Sequence, residues 1–290
     1  MKRPIFIVGT GRCGSTIFYK LISHHPDLCW HSTLENRYPD SSTVKFLSRI
    51  LNRDPFYSVA KGIKPNFKPA EIWNIWEKAD AGFVQPYRPL DGDDVSERKA
   101  KAFRKIVEEK VRRSGGKRFI TKLTGWSRIP YLKKIFPDAV FVHVLRDGRA
   151  VVNSLLHVDF WSGWEGVHNW RWGFKEEYLR ILEEYDESFA VLAALEWKIL
   201  VDEIETAGGE RGDDEFITIK YEDLVTEPTK VIKKVCSHLD LDYTSRFDKK
   251  VKSYGLKNMN YKWKQNLSKK EKKRLNDFLK DHLKKYGYLQ

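Results

Sequence analysis

Residues 5–16 read IFIVGTGRCGST, and their types and spacing suit phosphate binding. Gly9 and Gly14 stand as in the nucleoside-triphosphate loop G-x-x-x-x-G-K-[ST], and Thr16 ends the motif. The lysine position, however, holds Ser15. A strand, a glycine-rich turn and a helix N-terminus make an anion site, because free backbone N–H groups and the helix dipole both favour negative charge. Gly11, Arg12 and Cys13 fill the loop. Arg12 supplies a cation two residues before Gly14, away from the position of the triphosphate lysine. A triphosphate hydrolase needs charge on the γ-phosphate and a Mg²⁺ held by a loop hydroxyl and an acidic strand end. A diphosphate-like group with less charge suits this loop better. Cys13 reads either as a small residue in a tight turn or as a reactive thiol.

A second constellation is VHVLRDGRAVVNSLL. Arg146 ends a buried apolar run, at the edge where open parallel sheets bind ligands. Ser154 follows eight residues later. An arginine fork and a hydroxyl there can hold a second, separate phosphate. Spacing alone leaves another reading open, with Asp147 as a helix N-cap and Arg146 as an ion-pair partner. Just beyond, FWSGWEGVHNWRWGF places Trp161, Trp164, Trp170 and Trp172 within twelve residues. Such aromatics form a platform for sugars, phenols or apolar tails, or else pack as a lid.

The elements that must position these groups are legible as alternating strand and helix patterns, which implies βαβ units and a parallel sheet. Strand-length apolar runs occur at PIFIVG, RFITKL, AVFVHVLRD and EFITIKYEDL, with a weaker one at DLCWHST. Helical patterns follow the glycine loop, fill SERKAKAFRKIVEEKVRR and RIPYLKKI, begin at DGRAVVNSLLH and run through FAVLAALEWKILVDEIETAGG. No repeat or linker divides the 290 residues, so one domain is expected. Its residues 38–116, with Trp73, Trp76 and several prolines, are expected to include an irregular lid-like insertion.

Composition narrows the function classes. No apolar run reaches the roughly 18 residues of a membrane span. The start MKRPIFIVGT reads as a first strand rather than an export signal, so a cytoplasmic protein is expected. Three cysteines give neither a disulfide framework nor a metal spacing, and the eight histidines include no H-E-x-x-H, so no catalytic metal is expected. The net charge of +13 points to an anionic partner. Residues 262–285 carry ten Lys or Arg against three Asp or Glu. Leu275, Phe278, Leu279 and Leu283 recur there at helical steps, so the lysines form either a solvated helix face or a binding patch.

The glycine loop with its helix, together with RIPYLKKIFPDAVFVHVLRDGRAVVNSLL, resembles the sulfotransferases that use 3′-phosphoadenosine 5′-phosphosulfate (PAPS). It is most similar to the group containing the protein-tyrosine sulfotransferases and many bacterial enzymes. IKYEDLVTEP resembles their Y-E-D-L strand, and YKWKQNLSKKE with YGY resembles their K-W segment. The resemblance implies an α/β, P-loop NTPase-like three-layer fold with a central parallel sheet flanked by helices. It implies PAPS as co-substrate and no metal, since Arg and Lys supply the charge. Carried over residue by residue, Gly11, Arg12, Cys13, Gly14, Ser15 and Thr16 hold the 5′-phosphosulfate. Arg146 and Ser154 hold the 3′-phosphate, and Tyr221 and Lys262 border the nucleotide. Lys122 stands where relatives have the lysine of K-x-P, although here the sequence is Lys-Leu-Thr. With Arg12 it is the cation for the leaving phosphate. Glu35, in the stretch after His25-Pro26-Asp27, is the expected base, with His31 as the alternative. The acceptor is a small molecule, glycan or peptide bearing a hydroxyl or amine, and no nucleic acid is expected. Competing readings are a P-loop kinase and a nucleic-acid-binding protein.

Overall fold

The computed structural model describes residues 3–51, 67–169 and 175–289. Five strands are present among them: β1 Ile5–Gly9, β2 Leu28–Cys29, β3 Arg118–Thr124, β4 Val140–Leu145 and β5 Phe216–Lys220. They form one parallel sheet in the order β2-β3-β1-β4-β5. From β1 the chain goes to the edge strand β2 and returns inward to β3, then crosses over to β4 on the other side of β1 and builds outward to β5. Ligands bind outside the carboxyl ends of the strands at such a reversal. Gly9, the last residue of β1, is paired with Thr124 at the end of β3.

Both faces of the sheet are buried. Side chains alternate along a strand, so Ile5 and Ile7 join one apolar cluster while Phe6 and Val8 join another. On the first face the helices Ser15–Ile22, Pro228–His238 and Ser245–Ser253 contribute Phe18, Leu21, Ile232, Val235 and Phe247. On the second, Glu97–Arg113 and Ile129–Ile135 bring Phe103, Val107 and Leu132. A third cluster joins Gly148–Leu155 to Phe189–Gly209 and to the C-terminal helices through Val151, Trp197, Leu275 and Leu283.

Three sequence expectations are corrected here. Of the expected lid, residues 52–66 lie outside the described residues, and much of the rest belongs to the core. The helix Trp73–Ala79 buries Trp76, whose ring stacks on Phe103 at 4.9 Å and meets Phe119 of β3 edge-on. The prolines hid a helix of only seven residues. The run EFITIKYEDL is strand only as far as Lys220, and Tyr221–Thr226 is helix. Residues 262–285 form three helices, Lys262–Asn266, Lys269–Phe278 and Lys280–Lys285. Ser268 caps the second by accepting from the Glu271 N–H, which restarts the helix there.

Candidate active site

The phosphate loop spans the turn between β1 and the helix Ser15–Ile22. Gly14 is the helix N-cap at φ 92° and ψ 3°, in the left-handed region that glycine occupies without strain. A Cβ there would lie 2.3 Å from the Tyr221 ring, so Gly14 also allows the loop to seat on that ring. Arg12 holds φ 64°, a costly conformation for a residue with a side chain. Its Nε donates to Ser154 Oγ at 2.9 Å. Cys13 is buried, and burial raises its thiol pKa, which keeps it a protonated packing residue rather than a nucleophile.

Arg146 follows β4 directly. Its Nη1 donates to the Arg12 carbonyl at 3.0 Å and its Nε to Asn260 Oδ1 at 2.8 Å. Its guanidinium lies 4.4 Å from the centre of the Tyr221 ring, and burial lowers its pKa. The two readings left open by spacing both receive an answer. Asp147 is the N-cap of Gly148–Leu155, and it pairs with Arg149. Arg146 has no carboxylate partner among the described residues. Arg12 and Arg146 therefore meet in one place, each bound only to neutral oxygens. Close by, Asn153 keeps a buried Oδ1 without a hydrogen-bond partner.

One cavity of about 1060 Å³ collects most of the expected groups: Gly11, Arg12, Gly14, Ser15, Thr16, Lys122, Arg146, Ser154, Tyr221 and Lys262. Cys13 lies behind its wall. Lys122, on β3, is in register with Ile7 of β1. Its ammonium donates to Thr16 Oγ1 at 2.7 Å and pairs with Glu71 at 3.0 Å. Residues 122 and 124 face the same way on the strand, and Thr124 Oγ1 donates to Glu71 Oε1 at 3.0 Å. The threonine found in place of the K-x-P proline thus holds a carboxylate beside the lysine. Trp126, Phe160 and Trp161 line the farther wall. Trp161 donates to Glu196 at 2.8 Å and meets Trp164 edge-on. Trp170 and Trp172 lie outside the described residues.

Glu35 and His31 do not line this cavity. Glu35 is the N3 residue of Thr33–Arg37 and forms a capping box with Ser32. Its carboxylate also takes the Lys110 ammonium at 2.9 and 3.0 Å. Burial alone would raise its pKa, but the His31 ring at 3.5 Å and the Lys110 charge hold it well below the usual carboxylate range. Burial pushes the His31 imidazole down, so it stands neutral. Sequence reasoning did not single out Glu71, which lines this cavity, and placed the base at Glu35, which does not. The Ser32-x-x-Glu35 pattern is itself a capping-box signature, and the capping box is present. Glu71 carries no comparable local signal.

The α/β fold, with two arginines gathered at its glycine loop, suits a nucleotide-dependent transferase. The chain belongs to the sulfotransferase family: the model of the Sulfotransferase family matches residues 4–245. It is an enzyme of the PAPS-dependent kind that its motifs resemble. The fold is similar to a sulfotransferase from Mycobacterium avium, at 15% identity and TM-score 0.57, covering 98% of this chain and 76% of that one. A sulfotransferase from Mycobacterium tuberculosis H37Rv aligns at 14% identity and TM-score 0.58, covering 96% and 77%. The sulfotransferase domain from the curacin biosynthetic pathway aligns at 14% identity and TM-score 0.51, covering 97% and 98%. No curated protein matches the sequence significantly. Among the described residues, no cluster of His, Cys, Asp or Glu could hold a metal, and no helix is long and apolar enough to cross a membrane.

Proposed function

We propose that the protein transfers the sulfuryl group of PAPS to an acceptor hydroxyl in the large cavity, with Glu71 as base and Lys122 as the leaving-group cation. The observation that carries this reading is the pair of arginines, Arg12 and Arg146, each without a carboxylate partner among the described residues and both at the edge of one glycine loop. Guanidiniums held only by neutral oxygens keep their charge for an external anion. The loop from Gly11 to Thr16 and Arg12 receive the 5′-phosphosulfate. Arg146, Ser154 and the unpartnered Asn153 oxygen border the 3′-phosphate and ribose region, with Tyr221 and Lys262 alongside.

The acceptor oxygen bonds to sulfur while the bond from sulfur to the 5′-phosphate oxygen breaks. The acceptor proton passes to a carboxylate, and charge collects on the departing phosphate. Thr16, Lys122, Glu71 and Thr124 form one continuous string of contacts from the loop to that carboxylate. One lysine thus joins the group that stabilises the leaving phosphate to the group that takes the proton. Glu35 is paired with Lys110 and lines a neighbouring cavity rather than this one, so we reassign the base from Glu35 to Glu71. The aromatic wall supports an acceptor with a flat or apolar face.

Thermal shift with adenosine 3′,5′-bisphosphate, ATP–Mg²⁺ and an oligonucleotide tests the nucleotide assignment. The bisphosphate alone should stabilise the protein, and Arg146→Ala should abolish that response. Stronger stabilisation by ATP–Mg²⁺ would overturn the reading.

A further inference from the structure

A second cavity, of about 690 Å³, opens at the other end of the helix that leaves the phosphate loop. Its charge is lopsided. Seven Lys or Arg side chains line it, against one carboxylate, Glu35. That carboxylate is already held by Lys110, and Arg113 is held by Glu109. Lys20, Lys68 and Lys117 have no ion-pair partner among the described residues. Folding gains nothing from crowding like charges around a concavity, since the repulsion is unfavourable unless an anion relieves it. The Lys20 ammonium registers this crowding: burial lowers its pKa first, then the charges of Lys68 and Lys122.

The two cavities are lined by neighbouring parts of the same two segments. The helix Ser15–Ile22 gives Thr16 to the first and Lys20 to the second, and the segment after residue 67 gives Lys68 to the second and Glu71 to the first. The cavities have no lining residue in common, so an occupant of both must run along these segments, over the three residues from Lys68 to Glu71. Trp30 and Tyr254 also line the second cavity. Aromatic rings beside cations suit a sugar ring carrying acidic groups better than an extended peptide, whose backbone would demand paired N–H and C=O groups.

We infer that this second cavity anchors an anionic glycan acceptor, whose sulfate or carboxylate groups pair with Lys20, Lys68 and Lys117 while a hydroxyl of the same chain reaches Glu71 and Lys122. This rests on the sulfotransferase reading of the first cavity. The test is fluorescence anisotropy of a labelled, sulfated, uronate-bearing oligosaccharide on the full chain. A neutral oligosaccharide of equal length, an acidic peptide and inorganic sulfate serve as competitors. Wild type should bind the sulfated oligosaccharide with strong salt dependence, and the neutral one and inorganic sulfate should not displace it. Lys20→Ala/Lys68→Glu should weaken binding by about tenfold. Lys117→Glu, on a different segment, should weaken it in the same direction. In both variants the thermal shift from adenosine 3′,5′-bisphosphate should persist, which shows that they are folded and their nucleotide site intact. Equal affinity of wild type and both variants, displacement by the neutral oligosaccharide or by sulfate, or tighter binding of the acidic peptide would overturn the inference. Loss of the bisphosphate response in wild type is a separate result and would overturn the sulfotransferase site instead.

Discussion

Glu35–Lys110 and Glu71–Lys122 are nearly the same contact by distance, 2.9 Å and 3.0 Å. Their surroundings differ. The Glu35 side chain is 3% exposed and Lys110 6%, whereas Glu71 is 23% exposed and opens on the large cavity. Around Glu35 both oxygens are occupied, Oε1 by Lys110 and Oε2 by Lys110 and the Ser32 N–H. Glu71 is held on one side by Lys122 and Thr124, and the cavity lies on the other. The same ion pair thus serves two purposes. Sealed, it fixes the helix Thr33–Arg37 to the helix Glu97–Arg113; open, in the proposed reading, it presents a carboxylate and an ammonium to a reacting group. A glutamate near a motif is not a base until it faces the acceptor.

The largest effect that would break this contrast is at Glu71. Glu71→Gln should lower turnover by about 10²–10⁴-fold, the range for loss of a general base. Adenosine 3′,5′-bisphosphate should still raise the melting temperature of the variant. Turnover within a few-fold of wild type would remove Glu71 from the chemistry.

Next in size is Glu35→Gln. The neutral amide leaves Lys110 charged and buried without compensation, which costs about 3–5 kcal/mol. Chemical denaturation should register that loss, while turnover per folded molecule stays near wild type. Glu35→Gln/Lys110→Met, which removes both charges, should recover most of the stability. Loss of turnover in a well-folded double variant would restore Glu35 as the base.

The sequence revealed one of these regions far better than the other, for a physical reason. The phosphate loop and the Arg146 site are built from contiguous strand, turn and helix, so glycine spacing and apolar runs announce them. Gly14, Arg12 and Ser154 then meet because β1 and β4 are neighbours in the sheet. Glu71 lies on an irregular stretch between Pro69 and the short helix Trp73–Ala79. Its importance comes from Lys122 and Thr124, distant in sequence and joined to it only by folding. Trp76 was hidden likewise, because its partners Phe103 and Phe119 sit on other elements. Glu35 carried two local signals: its proximity to His25-Pro26-Asp27 suggested catalysis, while its spacing from Ser32 suggested the capping box that the fold contains.

The smallest effect is a pH slope, and it isolates the sealed pair. The folded-state pKa of Glu35 is held below its ordinary value of 4.5. Its ionisation therefore contributes stability that is fully present above about pH 4.5 and is lost as pH falls toward the folded value. Other carboxylates titrate in the same window, so wild type alone cannot report it. The difference between wild type and Glu35→Gln/Lys110→Met can when both carry His31→Gln, because His31 touches the pair and the groups that remain then cancel. That difference should be flat above pH 5 and then move against wild type by up to about 1.4 kcal/mol per pH unit as the medium is acidified. Parallel curves would mean that Glu35 titrates alike in folded and unfolded chains. The pair would then be as open to solvent as Glu71, and the contrast between the two would lose its physical basis.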